Sequence, residues 1–347
     1  MANRTDTIGI VAAGLYIPEG YLDAADIARE SGIPKEVIET KFGIKRKPRA
    51  TQAEQPSLMA IEAAKKCLVA EGQDPSEVDL VLWTGSEHKD YYVWSAGIKV
   101  QYELGCTRAW AMDVAARCST NIVALKLARD LMRSDLSLNT VLLAGGHRTA
   151  DLINYQNPRS RFLYNLSDAG SAILLKRGQG AEILESAIIT DGAFSEDVII
   201  PAGGTRLRTS HETLDGGLHV FDVPDPEGMK QRLDRLSLQN FLKVIREATE
   251  RSGKRAEEID YLALLHMKRS AHDGVLAGLG LPQDRSIYLA DYGHVGAPDQ
   301  VISLHLAQQR GLLKAGDIVV LASAGIGYTW AAAALRWAEG VPVVGGE

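Results

Sequence analysis

The feature that most constrains this chain is a repeat carried on an alternation. Short apolar runs of strand length alternate with longer runs whose apolar residues recur every three or four positions, as in an α/β fold. Within that alternation, residues 121–131 (NIVALKLARDL) match residues 300–310 (QVISLHLAQQR), with apolar side chains at the same offsets. Each copy follows a loop of small residues and leads into a hydrophobic strand, 141–144 or 318–322. Those strands reach small-residue turns, Gly145-Gly146 and Ala324-Gly325-Ile326-Gly327. A length of 347 residues suits two domains or one large one, and the repeat makes them two similar halves, 1–178 and 179–347.

Periodicity places strands at 8–15, 78–83, 110–115, 140–145 and 170–175. It places helices at 23–31, 35–41 (stopping at Gly43), 57–72, 93–104 and 119–134. After a loop-rich region the alternation resumes with a helix at 236–251, a strand at 261–265 and a helix at 271–280. A strand at 287–290, a helix at 300–310 and strands at 318–322 and 330–336 complete it. Residues 205–226, rich in Gly, Asp, Pro and Thr, read as an excursion over the surface.

Composition removes several classes of function. Lys and Arg number 38 against 44 Asp and Glu, and the net charge of −6 disfavours attraction to a nucleic-acid backbone. No apolar run approaches a membrane span. The N-terminus carries Arg4 and Asp6 and then the stretch 8–17, which contains Gly9 and Gly14 and has no small-residue cleavage site; it reads as a strand and not a signal peptide. Cys67, Cys106 and Cys118 are too few and too scattered for a disulfide framework or a zinc site, so the expectation is a cytoplasmic globular protein. The turn Gly325-Ile326-Gly327 lacks a third glycine and leads into a strand, unlike a dinucleotide-binding loop. A phosphate-binding loop ending in Gly-Lys-Ser/Thr, a Gly-x-Ser-x-Gly elbow and a His-Glu-x-x-His helix are all absent from the sequence.

One constellation survives. Cys118 lies in DVAARCSTN (113–121), between an apolar strand and a long helix, where helix N–H groups and the helix dipole favour a thiolate; Arg117 adds a positive charge. His266 ends the strand at 261–265, and His294 lies in YGHVGAP (292–298), just before the second copy of the repeated helix. The His294 loop therefore occupies the place in its half that the Cys118 loop occupies in the other. A thiolate beside two imidazoles suits acyl transfer followed by carbon–carbon bond formation, with the imidazoles donating to a thioester oxygen that becomes an enolate.

These segments resemble the β-ketoacyl-acyl-carrier-protein synthase III branch of the thiolase superfamily. Residues 113–118 resemble its nucleophile motif, and Leu265-His266 falls at its strand-end histidine. Tyr292-Gly293-His294 falls where it usually has Gly-Asn, and GIGYTW (325–330) resembles its Gly-Gly-Gly-Phe-Thr-Trp turn. FGIKR (42–46) resembles its Thr-Gly-Ile-Arg segment near the pantetheine entrance. The resemblance implies a five-layered αβαβα thiolase fold of two pseudo-repeated halves, and a homodimer. It implies that Cys118 accepts an acyl group from a coenzyme A or carrier-protein thioester, with the backbone N–H groups of Cys118 and Gly327 as an oxyanion hole. A second thioester then supplies a carbanion, and no metal or redox cofactor is required. Lys41 and Arg46, with Lys45 and Lys47, are candidates to meet coenzyme A phosphates or an acidic carrier helix, or form a solvated charged face; Gly325 joins the substrate-binding candidates.

The chain also departs from that pattern. His294 in place of asparagine makes a Cys-His-His set similar to that of elongating condensing enzymes, and Ile326 interrupts the glycine triplet. Residues 85–105 and 8–18 resemble archaeal 3-hydroxy-3-methylglutaryl-CoA synthases, in which a glutamate matching Glu87 is a general acid/base. Glu87 alternatively caps the following helix or lines a dimer interface. The alternatives to condensation are addition to a ketoacyl thioester, acyl transfer to oxygen or nitrogen of a specialised metabolite, and a non-catalytic scaffold subunit. Trp83, Trp94, Trp110 and Trp330 are expected in the core or a tunnel wall, and Cys67 and Cys106 are expected to be structural; His88 and Asp168 have no assigned role.

Overall fold

A computed structural model describes residues 7–345. Arg4 and Asp6 lie outside the described residues, as do the last two positions of the second half.

The strands of the large sheet are β1 (Ile8–Tyr16), β2 (Leu80–Trp83), β3 (Trp110–Asp113), β4 (Thr140–Arg148), β5 (Asp168–Arg177), β6 (Ala181–Thr190), β7 (Tyr261–Leu264), β8 (Ile318–Gly325), β9 (Thr329–Arg336) and β10 (Val343–Val344). The main helices are α1 (Pro56–Glu71), α2 (Ala96–Leu104), α3 (Thr120–Ser134), α4 (Pro226–Arg251), α5 (Arg269–Leu279) and α6 (Asp299–Gln309). The strands run in the order β3-β2-β4-β5-β1-β6-β9-β8-β7, with β10 beside β1. From the centre outward both sides follow one pattern. β1–β5 and β5–β4 are antiparallel and β4–β2 parallel, while β6–β9 and β9–β8 are antiparallel and β8–β7 parallel. The repeated helices α3 and α6 each precede the corresponding strand, β4 or β8. Among the described residues, the ladder between the two sides consists only of Gly9↔Glu182 and Ile10↔Ala181.

Alternating side chains divide these strands between two faces. In β4, Val141 and Leu143 pack with Ile122 and Leu125 of α3 and Ile302 and Leu304 of α6. Leu142 and Ala144 face the opposite way, toward Ala60 and Ala64 of α1 and Val100 of α2. In β8, Val319 and Leu321 join the α3/α6 cluster, whereas Val320 and Ala322 meet Val244 and Ile245 of α4 and Leu276 of α5. Strands buried on both faces read as unbroken apolar runs. The result is the expected αβαβα thiolase fold, with α3 and α6 in the middle layer.

Local differences have local causes. The helix expected from residue 93 starts at Ala96, because Val93 is left-handed (φ 49°) and the Asp113 carboxylate receives the N–H groups of Ala96 and Gly97. That helix is therefore capped by Asp113 and not by Glu87. The helix expected from 236 starts at Pro226, capped by Asp225, since its first turns are polar and carry little periodicity. Strand β6 was not anticipated, because Glu185 and Ser186 interrupt its alternation. Residues 287–290 are not part of a ladder, contrary to expectation. Within the surface excursion lies a short helix, His211–Asp215. Trp83 and Trp330 are buried as expected, but Trp110 is half exposed on the edge strand β3. Cys67 and Cys106 are buried. Among the described residues, no helix is long and apolar enough to cross a membrane.

Candidate active site

Cys118 sits, half-buried, in a 3-10 turn (Arg117–Ser119) that links β3 to α3. Hydrogen bonds with the facing ends of β8 and β9 pin this turn: Ser323 Oγ donates to the Cys118 carbonyl at 2.8 Å, and Ser119 Oγ donates to the Thr329 carbonyl at 3.0 Å. Thr120 Oγ1 donates to the Arg117 carbonyl at 2.6 Å, closing the turn from the helix side. The end of β8 lies hard against its back. A Cβ on Gly325 would stand 2.8 Å from the Ala116 carbonyl oxygen, 2.9 Å from Arg117 Cβ and 3.0 Å from the Cys118 nitrogen.

Both histidines are organised by one carboxylate. Asp299, the first residue of α6, is fully buried. Its Oδ1 accepts from the Val295 N–H at 2.8 Å, and its Oδ2 accepts from the His266 backbone N–H at 2.9 Å and from His294 Nδ1–H at 2.6 Å. The other nitrogen of His294 is left to the cavity that Cys118 also lines, and Cys118 acts electrostatically on the ring. Burial alone would push the His294 pKa down, but the Cys118 thiol and the Asp299 carboxylate outweigh it and hold the ring well above its ordinary value. His266 is in the opposite state. Its Nε2–H donates to the Gly43 carbonyl at 3.2 Å, while the Asn165 side-chain amide donates to Nδ1 at 3.2 Å, so both ring nitrogens are satisfied in the neutral tautomer. Burial pushes its pKa down to about 4 against the pull of Asp299.

Cys118, His266 and His294 line one cavity of about 800 Å³, together with Asn165, Gly327 and a largely apolar wall that includes Phe42, Phe162 and Phe241. Glu87 lines it too, paired with the Arg117 guanidinium. Gly327 has φ 124°, a conformation that glycine adopts readily. Three substrate-binding candidates lie elsewhere. Gly325 is absent from the cavity wall because it backs the nucleophile turn. Lys41 is exposed, and Arg46 lies 3.6 Å from Asp291 and over the Tyr21 ring. The basic group of 41–47 is split, since Lys47 is fully buried and its Nζ donates to the Tyr164 and Leu166 carbonyls at 2.8 and 2.5 Å. Asp168, unassigned from sequence, accepts from the backbone N–H groups of Ala50 and Ala150.

Three residues of the site escaped sequence reasoning. Asp299 stands five residues after His294 at a helix start, a spacing that could have flagged it. Asn165 and His147 lie in no recognisable motif. His147 lines the cavity and is held neutral by burial, with its pKa near 4, and its ring packs against Gly296.

Comparison with known proteins supplies the family. The model of 3-oxoacyl-[acyl-carrier-protein] synthase III matches residues 112–192, and that of its C-terminal region matches residues 249–337. The β-ketoacyl-[acyl-carrier-protein] synthase III of Caldanaerobacter subterraneus subsp. tengcongensis is 30% identical over 332 residues, covering 95% of this chain and 98% of that protein. The chain belongs to the β-ketoacyl-acyl-carrier-protein synthase III family. The synthase III of Symbiobacterium thermophilum is likewise 30% identical, over 335 residues, with 95% and 98% covered. Crystalline 3-oxoacyl-(acyl carrier protein) synthase III from Pseudomonas aeruginosa PAO1 superposes with a TM-score of 0.84 at 21% identity, covering 96% of this chain and 99% of that one, which bears on the fold alone. At the position where the sequence resemblance led to an expectation of asparagine, the structure has an imidazole bound to a carboxylate, His294 on Asp299.

Proposed function

We propose that Cys118 takes the acyl group of an acyl-CoA or acyl-carrier-protein thioester, and that His266, whose Nε2–H exchanges the Gly43 carbonyl for the substrate, and His294 then hold the oxygen of a second thioester as it becomes an enolate. The observation that carries this reading is the convergence of the three side chains on one cavity, with both histidines anchored by Asp299. In the first half-reaction the Cys118 sulfur attacks the thioester carbonyl, the oxyanion accepts from the N–H groups of Cys118 and Gly327, and the carrier thiol departs with a proton. In the second, the α-carbon of the other thioester loses CO2 (from a malonyl thioester) or a proton to leave the enolate, and attacks the carbonyl of the acyl-enzyme. A carbon–carbon bond forms, the bond to Cys118 breaks and its thiolate is regenerated.

The largely apolar wall suits an acyl chain. The reading asks for no metal or redox group, because the thiol and the N–H donors supply the chemistry. It includes two halves, 1–178 and 179–347, contributing the nucleophile and the histidines respectively. It also includes a homodimer, supported by the exposed Tyr91, Tyr92 and Val93 segment, and a cytoplasmic location, supported by three free cysteines.

The test is to incubate the protein with a panel of acyl-CoA thioesters, read the intact mass, and then add malonyl thioester and identify products. Acylation of the wild type but not of Cys118→Ala, followed by a β-ketoacyl product, is the expected outcome. A wild type that no donor acylates would sink the reading.

A further inference from the structure

An aspartate at the start of α6 with no solvent exposure needs its charge answered locally, because a buried carboxylate left to neutral donors alone is costly. Asp299 receives two backbone N–H groups, from Val295 and His266, and one ring nitrogen, His294 Nδ1, at 2.6 Å. The ring is the one partner that can carry the countercharge. A carboxylate has only acceptor oxygens, so the proton lies on Nδ1 and the opposite nitrogen is left to the cavity that Cys118 also lines, with Cys118 bearing electrostatically on the ring. Nucleophile, imidazole and carboxylate thus form a continuous line, Cys118–His294–Asp299, drawn from both halves of the fold.

We propose that Asp299 is a positioning residue that acts through His294, fixing its tautomer and its charge so that a cationic N–H donor stands with Cys118 in the cavity. This inference rests on Cys118 being the nucleophile of the reading above, and it adds the source of that nucleophile's activation.

The charges around His294 agree with it. Four titratable groups bear on the ring: Cys118 from the nucleophile turn, Asp299 from α6, His266 from the end of β7 and His147 from the end of β4. The two other imidazoles are neutral, pushed down to about 4 chiefly by burial, with the His294 charge acting in the same direction. One cation is therefore shared between a carboxylate and a thiol. When Cys118 is acylated the thiolate partner is lost, but the carboxylate keeps the Nε2–H donor in place for the incoming thioester oxygen. An asparagine amide could donate at that point too, yet it could not take the thiol proton.

The test is the rate of Cys118 alkylation by iodoacetamide against pH, in wild type, Asp299→Asn, His294→Asn and the double variant, with Cys118 modification located by mass. Asp299→Asn is expected to slow alkylation about tenfold at pH 7 and to move the midpoint of the profile upward by about one pH unit. His294→Asn is expected to do the same, and adding Asp299→Asn to it to move the midpoint no further. Equal shifts from Asp299→Asn in both backgrounds would mean that the carboxylate acts on backbone structure alone and would overturn the proposal. If Asp299→Asn does not fold, His294→Asn still decides, because a midpoint unchanged from wild type overturns the coupling. A chain that no acyl-CoA acylates but that gives the expected alkylation profiles would remove the condensing reading and leave the relay standing.

Discussion

The turns at the heads of α3 and α6 occupy corresponding places in the two halves and are electrostatic opposites. The first turn of α3 holds no acidic residue, and its half-buried approach presents Cys118 to the cavity. The first residue of α6 is Asp299, turned back to receive three N–H groups from the turn and the neighbouring strand end. One helix start leaves its positive end available to an incoming anion, while the other has been neutralised and orders the two imidazoles. A single supersecondary unit thus serves as the nucleophile's support in one copy and as the support for the donors in the other. The two are tied directly, for the Asn121 side chain of α3 donates to the Ala297 carbonyl in the His294 turn at 2.8 Å.

The largest expected disturbance to this arrangement is Gly325→Ala. Its Cβ would meet backbone atoms of Ala116 and Cys118, which cannot rotate away. Overpacking of this kind costs about 1–3 kcal/mol. Because the clash falls on the nucleophile turn and spares the histidine turn, acylation is expected to fall about ten- to a hundredfold, the scale of an ångström misplacement. Single-turnover acylation followed by intact mass, beside a thermal melt, separates the two effects. A variant that loses stability but acylates at the wild-type rate would show that the turn is not held by the end of β8.

The fold was legible because it is written twice: strands buried on both faces and a helix repeated at the same offsets survive in any single sequence of this kind. What was not legible lies where side-chain chemistry replaces periodicity. Strand β6 hides behind Glu185 and Ser186, and the first turns of α4 hide in a polar stretch. Cys118, His266 and His294 could be named because each stands at the end of an apolar strand or beside the repeated helix. Asn165 and His147 could not, since only the folded chain brings them to the cavity. Lys47 shows the converse error, a lysine in a basic run whose neighbours are exposed while it is fully buried.

A second effect, about tenfold, distinguishes the two histidines. An ordinary histidine near 6.5 would become mostly charged at pH 5.5, costing about tenfold in a step that needs it neutral. His266 is pushed down to about 4 and keeps its neutral form as pH falls, being protonated only near that value. His294 is raised in the free enzyme by Cys118 and Asp299 against the effect of burial, and the Cys118 contribution is lost on acylation. In His294→Asn, where His266 is the histidine of the pair left to titrate, the rate of the second half-reaction on pre-acylated enzyme is therefore expected to vary less than about twofold between pH 7.5 and 5.5. An acid limb near 6.5 that survives in His294→Asn would assign an ordinary value to His266 and erase the contrast.

The smallest expected effect concerns Glu87, where the outcome matters more than its size. Its carboxylate pairs with Arg117, and the two side chains remain 54% and 47% exposed. Pairs of this kind contribute about 0–1 kcal/mol, so Glu87→Gln is expected to melt within a few degrees of wild type and to acylate normally. In a Claisen-type condensation the α-carbon becomes the nucleophile without a carboxylate acid/base, and product formation is then expected to fall less than about threefold. In an addition to a ketone, by contrast, the new alkoxide must be protonated and a neighbouring acid becomes indispensable. Normal acylation with product formation abolished in Glu87→Gln would therefore move the chemistry from the Asp299-anchored histidines toward the nucleophile's own half, and the contrast between the two turns would have to be redrawn.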